Sequence, residues 1–163
     1  MDNKPLVGWQ EWVALPELNL SHIKAKVDTG AKTCALHAYF VEPYEKDGEN
    51  WVRFGIHPHQ GDLETTQECH ARLSDTRNVT DSGGHTEKRY VIATVVFLGG
   101  KSYDMEITLT NRDTMQFRML LGRNLLNHNF WIDPAHSFLQ GREPGDDCDD
   151  QEDRDENRDF IQE

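Results

Sequence analysis

Residues 23–31 read Ile-Lys-Ala-Lys-Val-Asp-Thr-Gly-Ala, and this stretch decides the fold. Its apolar residues alternate with two lysines, a pattern typical of a strand with one buried face. The strand leads directly into Asp28, Thr29 and Gly30. Glycine adopts backbone conformations that other residues resist, so Gly30 favours a tight turn that presents the Asp28 carboxylate at a strand end. We expect the Thr29 hydroxyl to hold this turn.

A second informative element follows about ninety residues later, where residues 117–126 read Phe-Arg-Met-Leu-Leu-Gly-Arg-Asn-Leu-Leu. The pattern predicts an apolar strand that ends at Leu121, then Gly122, then a short helix over residues 123–127. Each element also has an ordinary structural explanation. Asp-Thr-Gly alone is consistent with a plain turn, and the second element with a core strand capped by a helix.

The rest of the body consists mostly of short segments with period-two alternation. Strands are predicted over residues 51–56, 90–98 and 103–109, and turns over 46–48, 61–62, 81–84 and 99–100. Residues 57–90 are the least regular part, and we expect long loops there. Many strands, frequent turns and little helix predict an all-β barrel or sandwich.

Charge is distributed unevenly along the 163 residues, whose net charge is −12. Residues 143–163 carry 11 acidic and 2 basic side chains, whereas residues 1–142 carry 18 and 15. We therefore expect one domain over residues 7–140 and an acidic, disordered tail over 141–163, which has too little apolar surface to fold. A nearly neutral body without a basic stripe argues against nucleic-acid binding.

Other classes of protein are excluded by composition. No apolar run approaches the roughly 20 residues that a membrane helix needs, and the first residues lack the layout of a signal peptide. Three widely spaced cysteines do not form a disulfide framework. We therefore expect a cytoplasmic protein without membrane contacts, although a removed signal peptide is compatible with the sequence.

Together, the motifs at residues 27–31 and 120–126 resemble the two signatures of retropepsins, the retroviral-type aspartic proteases. The resemblance implies a closed β-barrel, a homodimer in which each copy supplies one aspartate, and hydrolysis of peptide or protein substrates. It assigns catalysis to Asp28, Thr29 and Gly30. Supporting roles fall to Ala31, Leu121, Gly122 and Arg123.

Residues 8–16 and 23–38 are also similar to a family described as ATP-dependent zinc proteases, and shorter matches extend to about residue 140. Members occur beside or fused to ATP-grasp ligases of the glutamate-adding type. The resemblance implies an ATP-grasp ligase as a partner. A non-catalytic module that binds peptides or regulates such a ligase is the alternative function, and a zinc-dependent protease is the third.

One departure from the viral enzymes affects the support of the loop. They place an acidic residue after Asp-Thr-Gly-Ala, where it pairs with the arginine of the second signature. This chain has Lys32 there, which cannot pair with Arg123. We expect Arg123 to form an ion pair with Glu106 or Asp133 instead.

The sequence also contains Asp81-Ser82-Gly83, which resembles the second aspartate motif of two-domain aspartic proteases. Only 53 positions separate Asp28 from Asp81, too few for half of such a protein. We interpret Ser82, Gly83 and Gly84 as the turn of a hairpin flap within residues 77–90. The second catalytic aspartate should then come from a second copy of the chain.

The family description raises the question of zinc. The chain has no His-Glu-x-x-His and no Cys-x-x-Cys motif, and the weak candidates for ligands are His57, His59, Cys69 and His70. We expect no cofactor, with zinc kept as an alternative. No Gly-rich phosphate loop is present, so any requirement for ATP would belong to the ligase.

Overall fold

The computed structural model describes residues 3–80, 83–111 and 117–141. The strands are β1 (Leu6–Val7), β2 (Gln10–Leu15), β3 (Leu20–Val27), β4 (Cys34–His37), β5 (Phe40–Lys46), β6 (Glu49–Ile56), β7 (Gln67–Thr80), β8 (Thr86–Leu98), β9 (Lys101–Thr110), β10 (Met119–Leu121) and β11 (Trp131–Ile132). A 3₁₀ turn spans Pro16–Leu18, and helix α1 spans Arg123–Leu126. The predicted disordered tail falls almost entirely outside the described residues. Among the described helices, none has the length and apolar character that crossing a membrane demands.

Six strands close into a barrel in the order β2, β3, β10, β4, β9 and β8. The circle is completed where β8 pairs with β2 through Phe97 and Ala14. Strand β10 lies parallel to β3 and antiparallel to β4, so it is enclosed between them. The expected closed, all-β barrel with one short helix is confirmed.

Local turn chemistry sets the register of two hairpins as the sequence predicts. Asp47 and Gly48 join β5 to β6 with φ of 53° and 79°, and Gly99 and Gly100 join β8 to β9 with φ of 62° and 82°. Two-residue loops with positive φ at both positions match the twist of antiparallel strands. Each turn therefore fixes which residues of its hairpin face the core.

Strands β5, β6 and β7 extend the sheet beyond the barrel from β8. The expectation of long loops across residues 57–90 is wrong for most of that stretch, because β7 and β8 form one long antiparallel hairpin. Of the 14 residues in β7, only Cys69 and Ala71 are buried. The apolar alternation of Cys69, Ala71 and Leu73 is short and the rest of the strand is mostly polar, so the sequence does not show a strand of this length.

The core is continuous through the barrel and the extension. Ile23 and Ala25 of β3, Met119 and Leu121 of β10, and Leu125 of α1 are all fully buried. These side chains lie behind the two motifs that the sequence singles out. The packing therefore holds both motifs against one apolar surface, with each fully buried large side chain contributing about 1.5–3 kcal/mol.

A buried carboxylate fastens the two ends of the body together. Glu11 is fully buried, and its two carboxylate oxygens accept hydrogen bonds from the backbone N–H groups of Gly8 (2.7 Å), Leu139 (2.9 Å) and Gln140 (3.0 Å). Burial raises the pKa of Glu11 above its ordinary 4.5, and the three N–H donors offset this only in part. Three backbone N–H groups thus have the Glu11 carboxylate as their hydrogen-bond acceptor.

We expect Glu11→Ala to lower the free energy of unfolding by about 3 kcal/mol, because it leaves three donors without their acceptor. The raised pKa means that the folded chain binds the Glu11 proton more tightly than the unfolded chain. The stability that Glu11 contributes should therefore fall as pH rises from below its unfolded pKa through its folded pKa. Urea denaturation of both proteins across pH measures the difference.

Glu45→Ala, which changes an exposed residue of β5, is the matched control and should shift stability by no more than about 0.5 kcal/mol. A penalty for Glu11→Ala that grows with pH would contradict a raised pKa of Glu11 in the folded chain.

Candidate active site

Asp28 lies where β3 ends, between β2 and β10. Its backbone N–H donates to the Leu121 carbonyl of β10 at 3.0 Å, and the preceding N–H of Val27 donates to the Trp9 carbonyl at 2.9 Å. The side chain of Asp28 is half-buried. The backbone before and at Asp28 is thus fixed from both sides, which limits where the carboxylate can be.

The carboxylate itself holds the turn that follows it. Oδ1 of Asp28 accepts the Gly30 N–H at 2.9 Å, and the Asp28 carbonyl accepts the Ala31 N–H at 3.1 Å. A Cβ on residue 30 would lie 3.2 Å from Oδ1 of Asp28. The absence of a side chain at Gly30 therefore avoids a tight contact with this carboxylate. Among the described residues the Thr29 hydroxyl makes no hydrogen bond, so the expectation that it holds the turn is wrong.

Gly122 is the point of closest approach between the two motifs. A Cβ there would lie 2.6 Å from the Thr33 carbonyl carbon and 2.9 Å from the Ala31 oxygen. The next residues continue the contact, because the Arg123 N–H donates to the Ala31 carbonyl at 2.8 Å. The structure therefore brings together the two motifs that sequence reasoning singled out.

Arg123 reinforces the same loop by a route that the sequence did not predict. Its Nη1 donates to the Thr29 carbonyl at 2.9 Å. The expected ion pair with Glu106 or Asp133 is wrong: Glu106 pairs with Arg77, and Asp133 pairs with His136 at 2.9 Å. A backbone carbonyl can replace a carboxylate here because the guanidinium needs only an acceptor in reach.

A cavity of about 1120 Å³ opens above Asp28. Its floor includes Asp28, Gly30 and Ala31, and its roof includes residues 77–80 of β7 together with Arg89 of β8. Strands β7 and β8 pair up to Thr80 and Thr86, whose hydroxyl oxygens are 3.0 Å apart. The long hairpin therefore covers the aspartate loop.

Of the predicted flap residues, Gly83 and Gly84 lie in the connection of this hairpin, and Gly84 has a φ of 86°. Ser82 and the neighbouring Asp81 lie outside the described residues. The flap assignment of these residues stays a prediction.

Glu106 connects the hairpin to the aspartate loop, and sequence reasoning did not find this role. Its carboxylate accepts Nη2 of Arg77 at 2.8 Å and the Ser74 hydroxyl at 3.1 Å, and its carbonyl accepts Nδ2 of Asn124 at 2.9 Å. The Arg77 hydrogen bond, followed by that of Ser74, lowers the pKa of Glu106. The Asn124 N–H donates to the Lys32 carbonyl at 3.1 Å. These contacts join residues that are far apart in the sequence, so they become visible only when the strand pairing is known.

The four residues considered as weak candidates for zinc ligands lie in other surroundings. His57 stacks on Tyr39 with ring centroids 4.5 Å apart, and His59 lies 5.8 Å from the His22 ring. The Cys69 thiol is buried, which raises its pKa to about 12, whereas thiolate is the form that binds zinc. His70 contacts Glu68 through Nε2 at 3.0 Å. Within residues 3–80, 83–111 and 117–141, no three such side chains converge as metal ligands.

We expect Gly122→Ala to lower the free energy of unfolding by about 3 kcal/mol, because backbone atoms at 2.6 Å cannot yield as a side chain would. Gly30→Ala is the control, since its new Cβ meets only the Asp28 carboxylate, and it should cost about 1 kcal/mol or less. Chemical denaturation measures both. Equal losses would show that the two motifs are not in tight contact at Gly122.

Comparison with known proteins places these observations in a family. The model of the RimB-like family, described as retropepsin-like aspartic endopeptidase RimB, matches residues 6–143. The crystal structure of a Legionella pneumophila protein of unknown function (DUF785) superposes with a TM-score of 0.70 at 28% identity, covering 85% of this chain and 99% of that one.

Curated relatives carry a different name and are longer. A probable alpha-L-glutamate ligase of Shewanella pealeana is 46% identical over 145 residues, which are 89% of this chain and 31% of that protein. One from Desulfotalea psychrophila is 45% identical over 132 residues, 81% of this chain and 28% of that protein. The chain thus spans about a third of the length of these relatives. Because the family model matches nearly all of the described body, and because the barrel joins the Asp28 loop to the Gly122 strand, the chain belongs to the RimB-like family of retropepsin-like aspartic endopeptidases.

Proposed function

We propose that the chain is an aspartic endopeptidase that acts as a homodimer, with one Asp28 from each copy. The observation that carries the proposal is the position of Asp28, half-buried and held by backbone contacts at the floor of a cavity of about 1120 Å³ under the β7–β8 hairpin. An extended peptide could lie in this space with a carbonyl above the carboxylate.

The need for a second copy follows from the acidic side chains of the cavity. Besides Asp28, the only acidic residue among its described lining is Glu106, whose two oxygens already accept Arg77 and Ser74. A single chain therefore offers one carboxylate for chemistry. A two-fold axis through the Asp28 loop would bring the twin residue into reach, because an axis pairs a residue with itself.

In this mechanism the two Asp28 carboxylates share one proton, since two like charges a few ångströms apart cannot both form cheaply. The ionised carboxylate takes a proton from a bound water, whose oxygen attacks the peptide carbonyl carbon. The protonated carboxyl donates to the carbonyl oxygen. The tetrahedral species then breaks its C–N bond as the nitrogen takes the proton that an Asp28 carboxylate removed from the water, which releases an acid and an amine.

The surroundings of Asp28 serve this chemistry. The Gly30 N–H orients Oδ1, so the carboxylate needs no reorganisation when the substrate arrives. Lys32 lines the same cavity and brings a positive charge to its wall. The hairpin would exclude water once a peptide is bound.

We expect Asp28→Asn to lower kcat/KM for an unfolded protein substrate by about 10³-fold or more, because an amide cannot accept the proton from water. Asp47→Asn makes the same chemical change in the remote β5–β6 turn and should leave the rate unchanged. Cleavage of a fluorescently labelled unfolded protein at several chain concentrations measures both effects. Specific activity should fall on dilution as dimers dissociate.

Undiminished cleavage by Asp28→Asn would rule out the aspartic mechanism. Activity that is lost with EDTA and restored by zinc would favour the zinc-dependent protease in its place.

A second candidate is a non-catalytic module that binds peptides or regulates an ATP-grasp ligase. It is favoured by the longer relatives, which are named as probable alpha-L-glutamate ligases. If it is correct, adding the chain should change the rate of such a ligase, and Asp28→Asn should have the same effect as wild type. A ligase rate that does not respond to either protein would exclude regulation of such a ligase.

A further inference from the structure

The β7–β8 hairpin continues past the barrel at the end that carries its turn. Strand β8 pairs with β9 from Tyr90 onward, whereas within the described part of the chain residues 86–89 pair only with residues 77–80 of β7. We call these eight residues the overhang, and none of them is buried. Five members of the overhang line the cavity: Arg77, Asn78, Val79, Thr80 and Arg89. The overhang thus covers the cavity without a buried apolar residue that would anchor it.

A β-bulge lies at the root of the overhang. Leu73 of β7 pairs with Ile92, and Asp75 pairs with Val91, so Ser74 is an extra residue in β7. The extra residue of a bulge has no cross-strand partner, which disrupts the ladder locally and bends the strand. The β7 arm is therefore most easily reoriented at Ser74.

One residue of the barrel holds the overhang by its side chain. Oε1 of Glu106 accepts Nη2 of Arg77 at 2.8 Å, and Oε2 accepts the hydroxyl of Ser74 at 3.1 Å. The carboxylate of Asp75 accepts Nε of Arg77 at 2.8 Å, which directs the guanidinium. Among the described residues, no other side chain of the overhang forms a hydrogen bond with the barrel; the remaining ones stay within the hairpin.

Glu106 itself is firmly placed. It lies in β9, where it pairs with Ala93 of β8, and the next residue, Ile107, pairs with Cys34 of β4. Its carbonyl also accepts Nδ2 of Asn124 at 2.9 Å. The barrel therefore supplies the fixed end of the contact with Arg77, and the hairpin supplies the end that can move.

The contact between Arg77 and Glu106 is also weak enough to break. The two side chains are 39% and 44% exposed. Exposed ion pairs contribute little to stability because water and salt screen them and both side chains lose freedom. Such a pair can hold a hairpin in one position at rest and still release it readily.

We propose that Glu106 is a latch for the overhang. While Arg77 is bound to Glu106, the overhang lies closed over the cavity. When this contact breaks, the hairpin pivots at Ser74 and admits a polypeptide. Glu106 is thus a positioning residue that acts on the cavity through Arg77. The inference goes beyond the proposed function, because a peptidase and a peptide-binding module both need access to the cavity.

A thiol beneath the overhang tests the latch without any substrate. Thr110 lines the cavity and is 3% exposed, and its hydroxyl has no hydrogen-bond partner within the described residues, so Thr110→Cys should be tolerated. The thiols of Cys34 and Cys69 are buried, and Cys148→Ser removes the third native thiol. The rate at which iodoacetamide modifies position 110, followed by mass spectrometry, then reports how readily the overhang opens.

In this background we expect Glu106→Gln to raise the modification rate at position 110 about fivefold, because the amide has no charge to hold Arg77. The rate at Cys34, which is fully buried in the barrel, should not change. An unchanged rate at position 110 would overturn the latch. Equal acceleration at position 110 and at Cys34 would also overturn it, because Glu106 would then support the fold as a whole.

Glu68→Gln is the matched control. Glu68 lies in β7 outside the cavity lining, its carboxylate accepts Arg53 at 2.7 Å and His70 at 3.0 Å, and its side chain is 50% exposed. This variant should leave the rate at position 110 within about twofold of the parent protein. An acceleration as large as that of Glu106→Gln would contradict a specific role of Glu106.

Arg77→Gln breaks the same contact from the side of the hairpin and should accelerate modification by about the same factor. The double variant with Glu106→Gln should react no faster than either single variant, because both changes remove one interaction. Arg77→Lys keeps the charge and should give a rate between those of the parent and Arg77→Gln. Accelerations that multiply to about 25-fold in the double variant would show that the two residues act independently, and would overturn the latch.

Salt provides a second readout of the same contact. Because salt screens exposed charges, about 1 M NaCl should raise the rate at position 110 about threefold in the parent protein and hardly at all in Glu106→Gln. A parent rate that does not respond to salt would show that the attraction between Arg77 and Glu106 does not hold the overhang.

None of these measurements requires cleavage, so failure of the latch and failure of the peptidase are distinguishable. If cleavage depends on Asp28 but Glu106→Gln does not change the modification rate, the peptidase stands and the latch falls. If the chain cleaves nothing but Glu106→Gln accelerates modification at position 110 alone, the latch stands and the peptidase falls.

Discussion

The contact between the Asp28 loop and the strand that ends at Gly122 is the constraint on which the site depends. The two backbones approach so closely that Gly122 has no room for a Cβ beside Thr33. Hydrogen bonds from Asp28 to Leu121 and from Arg123 to Ala31 then fix the loop on both sides of the turn. A carboxylate held by main-chain groups keeps its position without support from flexible side chains, which suits a reacting group.

The same barrel also determines what lies above the aspartate. Glu106 belongs to a barrel strand, yet its side chain contacts Arg77 and Ser74 of the hairpin while its carbonyl contacts Asn124. The β7–β8 hairpin and the Asp28 loop are therefore linked through one residue of β9. These hydrogen bonds tie β7, which is mostly exposed, to the barrel.

Sequence reasoning succeeded where the information is local or where two motifs constrain each other. The Asp47-Gly48 and Gly99-Gly100 turns and the short helix follow from such signals, and the closed barrel follows from the resemblance of the two motifs to retropepsins. It failed along β7, most of whose residues are polar and exposed or half-buried, and at Arg123, whose acceptor is a backbone carbonyl that no side-chain pattern shows.

The hydrogen bonds that Glu11 accepts also determine where the chain enters and leaves the barrel. It draws Gly8 together with Leu139 and Gln140, and the Gln140 side chain also donates to the Leu6 carbonyl at 2.6 Å. Entry to and exit from the barrel therefore share one location. A domain with adjoining entry and exit can be inserted into or appended to a larger polypeptide without distorting either neighbour. Such modular geometry suits a barrel whose homologous segment forms about a third of longer proteins.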